Sequence, residues 1–224
     1  MRIEVVTIGD ELLLGYTLDS NAAHLAREFA ALGVEIVRRD TCGDDADTIA
    51  ETVREALDRT GAVITTGGLG PTSDDLTKPS IAALFGRPMV LDEEHLEWMR
   101  RRWAARWPDR PMPEANRQQA MLPEGSRKLV NQHGSAPGIW LEDDRGRWVA
   151  MLPGVPREMR GMLADTLLPL VAARLGGARR VVRSRTLRTT GVAESLVAER
   201  IATLPDGVGD VELAYLPKIG RAHV

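Results

Sequence analysis

A parallel-sheet α/β fold, followed by a small second α/β domain, is predicted by three observations. Short β-rich apolar runs alternate with stretches whose apolar residues recur at helical spacing, in the order strand, helix, strand, helix, strand that parallel sheets with crossover helices require. The strand-like runs lead into Gly9-Asp10-Glu11, Cys42-Gly43-Asp44 and Gly67-Gly68-Leu69-Gly70, and in such sheets ligands bind beyond the carboxyl ends of strands. At 224 residues the chain has room for one substantial domain and a small one.

The elements follow in order. Arg2 to Gly9 is a β-rich run ending in glycine, hence a buried strand. From Ser20, the residues Ala22, Leu25, Ala26, Phe29 and Leu32 mark a helix that Gly33 stops. Val34 to Arg38 reads as a second strand and Asp44 to Arg59 as a second helix, with Ile49, Val53, Ala56 and Leu57 on its apolar face. Ala62 to Thr66 is the third strand, and a helix-like segment runs from Leu76 to Phe85. Asp92 to about Leu122 is an insertion rich in Trp and Arg, broken by Pro108, Pro111 and Pro113. After a loop at Asn131 to Gly138, Trp148 to Leu152 is a strand, and Pro153 to Met159 opens a helix reaching about Leu175. Gly176-Gly177 ends the first domain, residues 1–177. Residues 178–218 read as part of a small α/β domain: strand Val181 to Thr190, helix Val192 to Leu204, strand Val211 to Leu216.

Composition narrows the function. The chain is 43% hydrophobic and 27% charged with a formal net charge of −3, which gives no electrostatic footprint for nucleic acid. No apolar run is long enough to span a bilayer, neither a membrane segment nor a signal peptide is expected, and a cytoplasmic location follows as the default. With Cys42 as the single cysteine an internal disulfide is impossible; Cys42 reads as a small buried residue.

The stretch from Thr65 to Thr77 carries the chemistry. Gly67, Gly68 and Gly70 at a strand's carboxyl end allow backbone amides to approach a phosphate, or they simply build a turn. Thr72 and Ser73 add hydroxyl donors, and Lys78, one helical turn on, is either a phosphate partner or a solvated surface lysine. Asp74 and Asp75 would repel a bare anion, so they imply a metal ion or proton transfer unless they cap the helix. One acid caps and a second is spare: Asp75 is expected to be the metal ligand or catalytic acid, with Asp74 as cap or support. Asp44 is a third candidate acid, with helix capping as its plain alternative, and Asp10 and Glu11 are candidate metal ligands beside Asp75. Hard carboxylate oxygens suit a divalent ion such as magnesium, manganese or cobalt, and no histidine spacing supports zinc.

The remaining candidates are softer. Asn21 either caps a helix or fixes a ribose or adenine edge. His133 is either a hydrogen-bonded spacer or a site residue, and Glu158 either complements a helix dipole or faces the ligand. Gly154 and Pro156 shape a pocket wall, where Arg157 would meet a phosphate. Trp98, Arg102, Trp103, Arg106 and Trp107 mix cations with aromatics, a pattern of single-strand binding, but an amphipathic helix packed on the domain or on a partner subunit is the reading favoured by the acidic net charge.

These motifs carry a resemblance. GDELLLGYTLDSN at Gly9 to Asn21, TGGLGPTSDDLT at Thr66 to Thr77, NQHGSAPG at Asn131 to Gly138 and LPGVPREM at Leu152 to Met159 resemble the amino-terminal region of the competence/damage-inducible CinA family, itself of the broader MoaB/MogA-like molybdopterin-binding fold. The resemblance covers Arg2 to roughly Leu216 and implies a three-layer domain followed by a partial KH-like one. It also implies metal-dependent hydrolysis of ADP-ribose to AMP and ribose 5-phosphate. Sister branches handle molybdopterin and share an acid matched by Asp75 and an earlier one matched approximately by Asp44. The alternatives are therefore pterin binding or adenylyl transfer, and a noncatalytic competence adaptor. Homo-oligomerisation through the insertion is expected. Many similar proteins also carry a domain that deamidates nicotinamide mononucleotide, and nothing resembling it occurs up to Val224. The last six residues, Ile219 to Val224, interrupt a strand pattern and match a translated sequencing adapter, so residues 219–224 are expected to be a non-native tail.

Overall fold

A computed structural model describes residues 1–175, 185–204, 209 and 211–215. The chain divides into two compact units, residues 1–183 and 184–224. The first holds a six-stranded sheet: β1 (Arg2–Ile8), β2 (Glu35–Cys42), β3 (Ala62–Thr66), β6 (Arg127–Leu129), β7 (Gly138–Glu142) and β8 (Trp148–Leu152), in the order β2-β1-β3-β8-β7-β6. β2, β1, β3 and β8 run parallel. β7 and β6 run antiparallel to their neighbours, so the sheet is mostly rather than wholly parallel. The reason lies in the β7–β8 connection, a tight turn closed by Asp143 N donating to Arg147 O and Gly146 N to Asp143 O. A connection that short joins only antiparallel strands.

Helices cover both faces, giving three layers. On β1, Ile3 and Val5 pack with α2 (Ser20–Leu32), α6 (Pro156–Met162) and α7 (Leu168–Arg174), the last two joined by one π-helical turn at Leu163–Leu167. The alternate residues Val6 and Ile8 pack with α3 (Ala46–Thr60) and α4 (Thr77–Leu84). This period-two division is what a strand buried on both faces produces. Gly33 and Gly61 end α2 and α3 in the left-handed conformation, φ 81° and 72°. β2, at the sheet edge, extends past the predicted Arg38 to Cys42 because its second half is polar and half-exposed (Arg38, Arg39, Asp40, Thr41), which hides a strand from an apolar search.

A short helix, α1 (Asp10–Leu13), begins where β1 ends. The insertion is framed by β4 (Met89–Leu91) pairing antiparallel with β5 (Met121–Pro123) and holds α5 (Glu93–Arg106) and a 3-10 turn at Glu114–Ala120. Leu96, Met99 and Ala120 form its core. Its aromatics are occupied internally: Arg102 lies over Trp98, Trp98 stacks on His95, and the Trp103 indole donates to Arg110 O at 2.9 Å while its ring meets Trp107. That supports the packed-helix reading of this segment.

The second unit shows one helix among the described residues, α8 (Glu194–Ala202). Residues 185–190 and 211–215, expected as strands, pair with nothing among the described residues and leave Leu187, Val211 and Leu213 exposed. A strand needs an edge to donate to, and among the described residues neither segment has one. The Gly176-Gly177 stop, residues 181–184, Leu216 and the 219–224 tail lie outside the described residues. No helix among the described residues is long and apolar enough to cross a membrane.

Candidate functional site at the carboxyl ends of the parallel strands

The strand ends are level. Ile8 pairs with Cys42, Thr7 with Thr66, and Thr66 with Leu152, so Gly9, Gly43, Gly67 and Pro153 all follow along one edge of the sheet. β1 connects to β2 on one side and β3 lies on the other, which makes this edge the switch point where open α/β sheets form a crevice.

Asp10 and Asp44 join the first two loops reciprocally. Asp10 N donates to Asp44 Oδ2 at 3.0 Å, and Asp44 N donates to Asp10 Oδ1 at 3.3 Å. A Cβ on Gly43 would lie 2.4 Å from Asp10 Oδ1, so glycine is what lets the two loops meet. Each carboxylate keeps one oxygen without a protein donor among the described residues. Burial pushes the Asp44 carboxyl above the ordinary aspartate range; the Asp10 amide opposes this, and the charges of Asp10, Glu11 and Asp74 add to it. Asp74 is thus within electrostatic range of Asp44, which ties the glycine loop to the acid pair. Capping of α3 falls to the neighbour, Asp45, whose side chain accepts from Thr48 N at 2.9 Å, so Asp44 is free of that task.

The glycine loop departs from expectation. Gly67 (φ 115°) packs so closely that a Cβ would sit 2.0 Å from Ile8 O, and on Gly68 (φ 63°) it would sit 2.1 Å from Thr77 Oγ1. Gly67 N donates to Leu152 O, and Gly70 N donates to Asp75 Oδ1 at 2.7 Å. Asp75 Oδ2 accepts from Thr72 N at 2.8 Å and from the Thr72 hydroxyl. Asp75 therefore organises its own loop, and the Gly67, Gly70 and Thr72 amides are already used. Among the described residues the Gly68 and Leu69 amides have no protein acceptor. Ser73 and Asp74 stay exposed, and Leu76 occupies the cap position of α4 with no side-chain cap, so the expected capping by Asp74 does not occur.

Lys78 is not a surface lysine. It is 3% exposed, its Nζ donates to Gln118 O at 2.5 Å, and burial lowers its pKa to about 8 while Asp75 opposes the drop. His95 from the insertion, also buried, has its Nε2 3.0 Å from Ser135 O and lies within electrostatic range of Lys78 and Lys128. Sequence reading missed His95, because a histidine in a mostly charged helix carries no pattern of its own.

Asn21 leaves the capping of α2 to Asp19 and ties two loops together: Nδ2 donates to Thr66 Oγ1 at 3.1 Å and to Gly154 O at 2.7 Å. Thr66 in turn donates to Pro153 O at 2.9 Å. Gly154 and Pro156 are exposed on this rim. His133 and Glu158 serve the Asn131–Gly138 loop instead. His133 Nε2 is 2.9 Å from Asp165 Oδ2, and Glu158 Oε2 accepts from Asn131 Nδ2 at 2.6 Å. Their side chains pin the loop to α6 and the turn after it. Asn131 opens the NQHGSAPG motif but was not singled out as a candidate, and Asp165 lay in no motif.

Among the described residues no three His, Cys, Asp or Glu side chains gather into a ready-made metal site, so the trio Asp75, Asp10 and Glu11 is not assembled. Burial pushes the Cys42 thiol up to about 11, in keeping with an inert packing role.

The sequence matches the family described as probable molybdopterin binding domain over residues 4–173. It is 68% identical to a CinA-like protein of Gemmatimonas aurantiaca over 97% of this chain and 50% of that protein, and 41% identical to a CinA-like protein of Desulfovibrio desulfuricans over 96% of this chain and 49% of that protein. The chain thus spans about half the length of these curated relatives. Among solved structures, CinA of Thermoplasma acidophilum, described as of unknown function, superposes with TM-score 0.68 at 31% identity, covering 75% of this chain and 97% of that one. MoaB of Thermus thermophilus, a molybdopterin biosynthesis enzyme, shares the fold at TM-score 0.51 and 21% identity, covering 80% of this chain and 98% of that one. The chain belongs to the molybdopterin-binding domain family, in its CinA-like branch.

Proposed function

We propose that this chain hydrolyses the pyrophosphate of a nucleoside diphosphate sugar, with ADP-ribose favoured, giving AMP and ribose 5-phosphate. The observation that carries the reading is the Asp10–Asp44 pair, set within electrostatic range of the glycine loop at the sheet's switch point. The Gly68 and Leu69 amides and the amino terminus of α4 would cradle the phosphates, and Lys78, within electrostatic range of Asp75, would add positive charge below about pH 8. Asp44, its carboxyl raised by burial, takes a proton from the attacking water. The water oxygen bonds to one phosphorus, the anhydride P–O bond breaks, and the leaving phosphate takes the electron pair. Asp10 is the carboxylate that would hold a divalent ion such as magnesium. Such an ion, when bound, offsets phosphate charge and lowers the pKa of bound water.

The family description favours a second reading, binding of a pterin phosphate in the same cradle without turnover. AMP release from ADP-ribose by the full chain, with magnesium, manganese and cobalt in turn, separates the two. Metal-dependent release is expected; none with any ion, together with tight molybdopterin binding, moves the assignment to the pterin.

A further inference from the structure

The segment between Asp10 and Asn21 is fixed at both ends in the site and bare in its middle. At one end Asp10 is bonded to Asp44, and Leu13 Cδ1 lies 3.5 Å from where a Gly43 Cβ would be. At the other, Asn21 is bonded to Thr66 and to Gly154 O. The segment therefore bridges the end of β2 and the ends of β3 and β8, along the rim of the crevice. Its middle is an ordered turn: Gly15 N donates to Leu12 O at 3.2 Å, Thr17 N donates to Glu11 O at 3.1 Å, and Gly15 takes φ 74° with open space where a side chain would be. Along this strap Leu13, Leu14, Tyr16 and Leu18 are 56%, 66%, 81% and 89% exposed. Isolated exposed apolar residues need no explanation, but several in succession on the rim of a polar site mark a surface that something covers.

We propose that this strap is the nucleobase subsite, with Tyr16 stacking on the base of the nucleotide whose phosphates lie in the glycine loop. The inference rests on the nucleotide reading of the site. A nucleoside diphosphate sugar is charged at its centre and flat and apolar at one end. The acid pair and loop amides address the first feature, and the strap supplies the only run of exposed apolar side chains among the described residues that is anchored to the same groups. Tyr16 is the planar residue of the strap, and stacking on an aromatic ring recognises any base by its π face. The subsite accordingly selects for a base over a bare phosphate, and weakly among bases.

The test is calorimetric binding of AMP and of ribose 5-phosphate to the full chain as wild type, Tyr16→Ala, Tyr16→Phe and Leu18→Ala, with thermal melting as the folding control. Tyr16→Ala is expected to weaken AMP about tenfold, Tyr16→Phe to bind AMP as wild type does, and ribose 5-phosphate to be unaffected throughout. In turnover of ADP-ribose the same loss appears in KM and not in kcat. Equal AMP affinity in wild type and Tyr16→Ala overturns the proposal, including the case in which sedimentation shows that Tyr16→Ala instead loses self-association, since the strap then covers a second copy. A wild type that binds no AMP overturns it together with the nucleotide reading. A wild type that binds AMP through Tyr16 but releases none from ADP-ribose keeps the subsite and removes only the hydrolase.

Discussion

Asp44 and Asp75 occupy equivalent stations, each in the loop between a parallel strand and the helix that follows it, yet their surroundings differ. Asp75 accepts from two backbone amides and a hydroxyl of its own loop. Asp44 accepts from one amide and faces the charges of Asp10, Glu11 and Asp74. An acid whose oxygens are taken up by loop donors is occupied as a structural acceptor, whereas one surrounded by burial and other acids is poised to hold a proton or a cation. Their positions in sequence look alike; the donors within reach differ.

The largest effect is expected at Gly67, the glycine that seats the loop. Gly67→Ala would place a Cβ against Ile8 O at a positive φ, and it is expected to cost about 3 kcal/mol or more in chemical denaturation. Gly15→Ala, also at positive φ but with open space around it, is expected to cost only about 1–2 kcal/mol. Equal losses would show that the loop is not held against β1 as described.

Asp75→Ala removes the acceptor for Gly70 N and Thr72 N and is expected to destabilise the chain by about 2 kcal/mol, with activity lost alongside the loop. Asp75→Asn keeps an acceptor oxygen and should recover part of that stability. Full stability in Asp75→Ala would break the structural assignment.

Lys78 gives a pH signature. Its folded pKa is lowered to about 8, below that of the unfolded chain, so above about 8 the native state holds fewer protons and stability rises with pH; below it the burial cost is fully present. The gain from neutral to alkaline pH is expected on the order of 2 kcal/mol. Lys78→Met should flatten that rise, and phosphate affinity in the wild type should fall across the same window. The smallest effect belongs to His133, whose bond to Asp165 lies near the surface. His133→Ala should change stability by less than about 1 kcal/mol and leave turnover unchanged.

Much of the fold was legible because burial imposes a period. β1, β3, β8, α2 and α3 announce themselves through residues such as Val5, Ile64, Val149, Phe29 and Val53, all fully or almost fully buried. Two of the level strand ends were legible too, since Gly9 and Gly67 follow the apolar runs of β1 and β3, whereas Gly43 follows the polar half of β2. Elements that rest on partners were not. β4, β5 and β6 are three residues each and exist by pairing, α1 is a single turn, and the direction of β7 depends on a turn whose Asp143 must bond Arg147. Within the site, the structure brings several candidates to one edge of the sheet and gives some of their side chains partners that spacing did not suggest. Capping moved by one or two residues, to Asp45 and Asp19, because a cap depends on backbone angles that spacing does not specify. Lys78 was buried by the insertion, whose Gln118 carbonyl lies 40 positions away in sequence.

AMP release from ADP-ribose by Asp44→Asn, measured across pH beside its thermal stability, decides whether Asp44 is the reacting acid. The account predicts turnover reduced about 100-fold or more with stability unchanged or raised, since a charge is removed from among like charges. In the wild type, release should fall as pH drops through the raised Asp44 pKa, earlier than an ordinary aspartate would allow, while stability rises over that range because the native state binds the extra proton. Wild-type turnover in Asp44→Asn, or a loss that merely tracks unfolding, would contradict the assignment of Asp44 as the reacting acid.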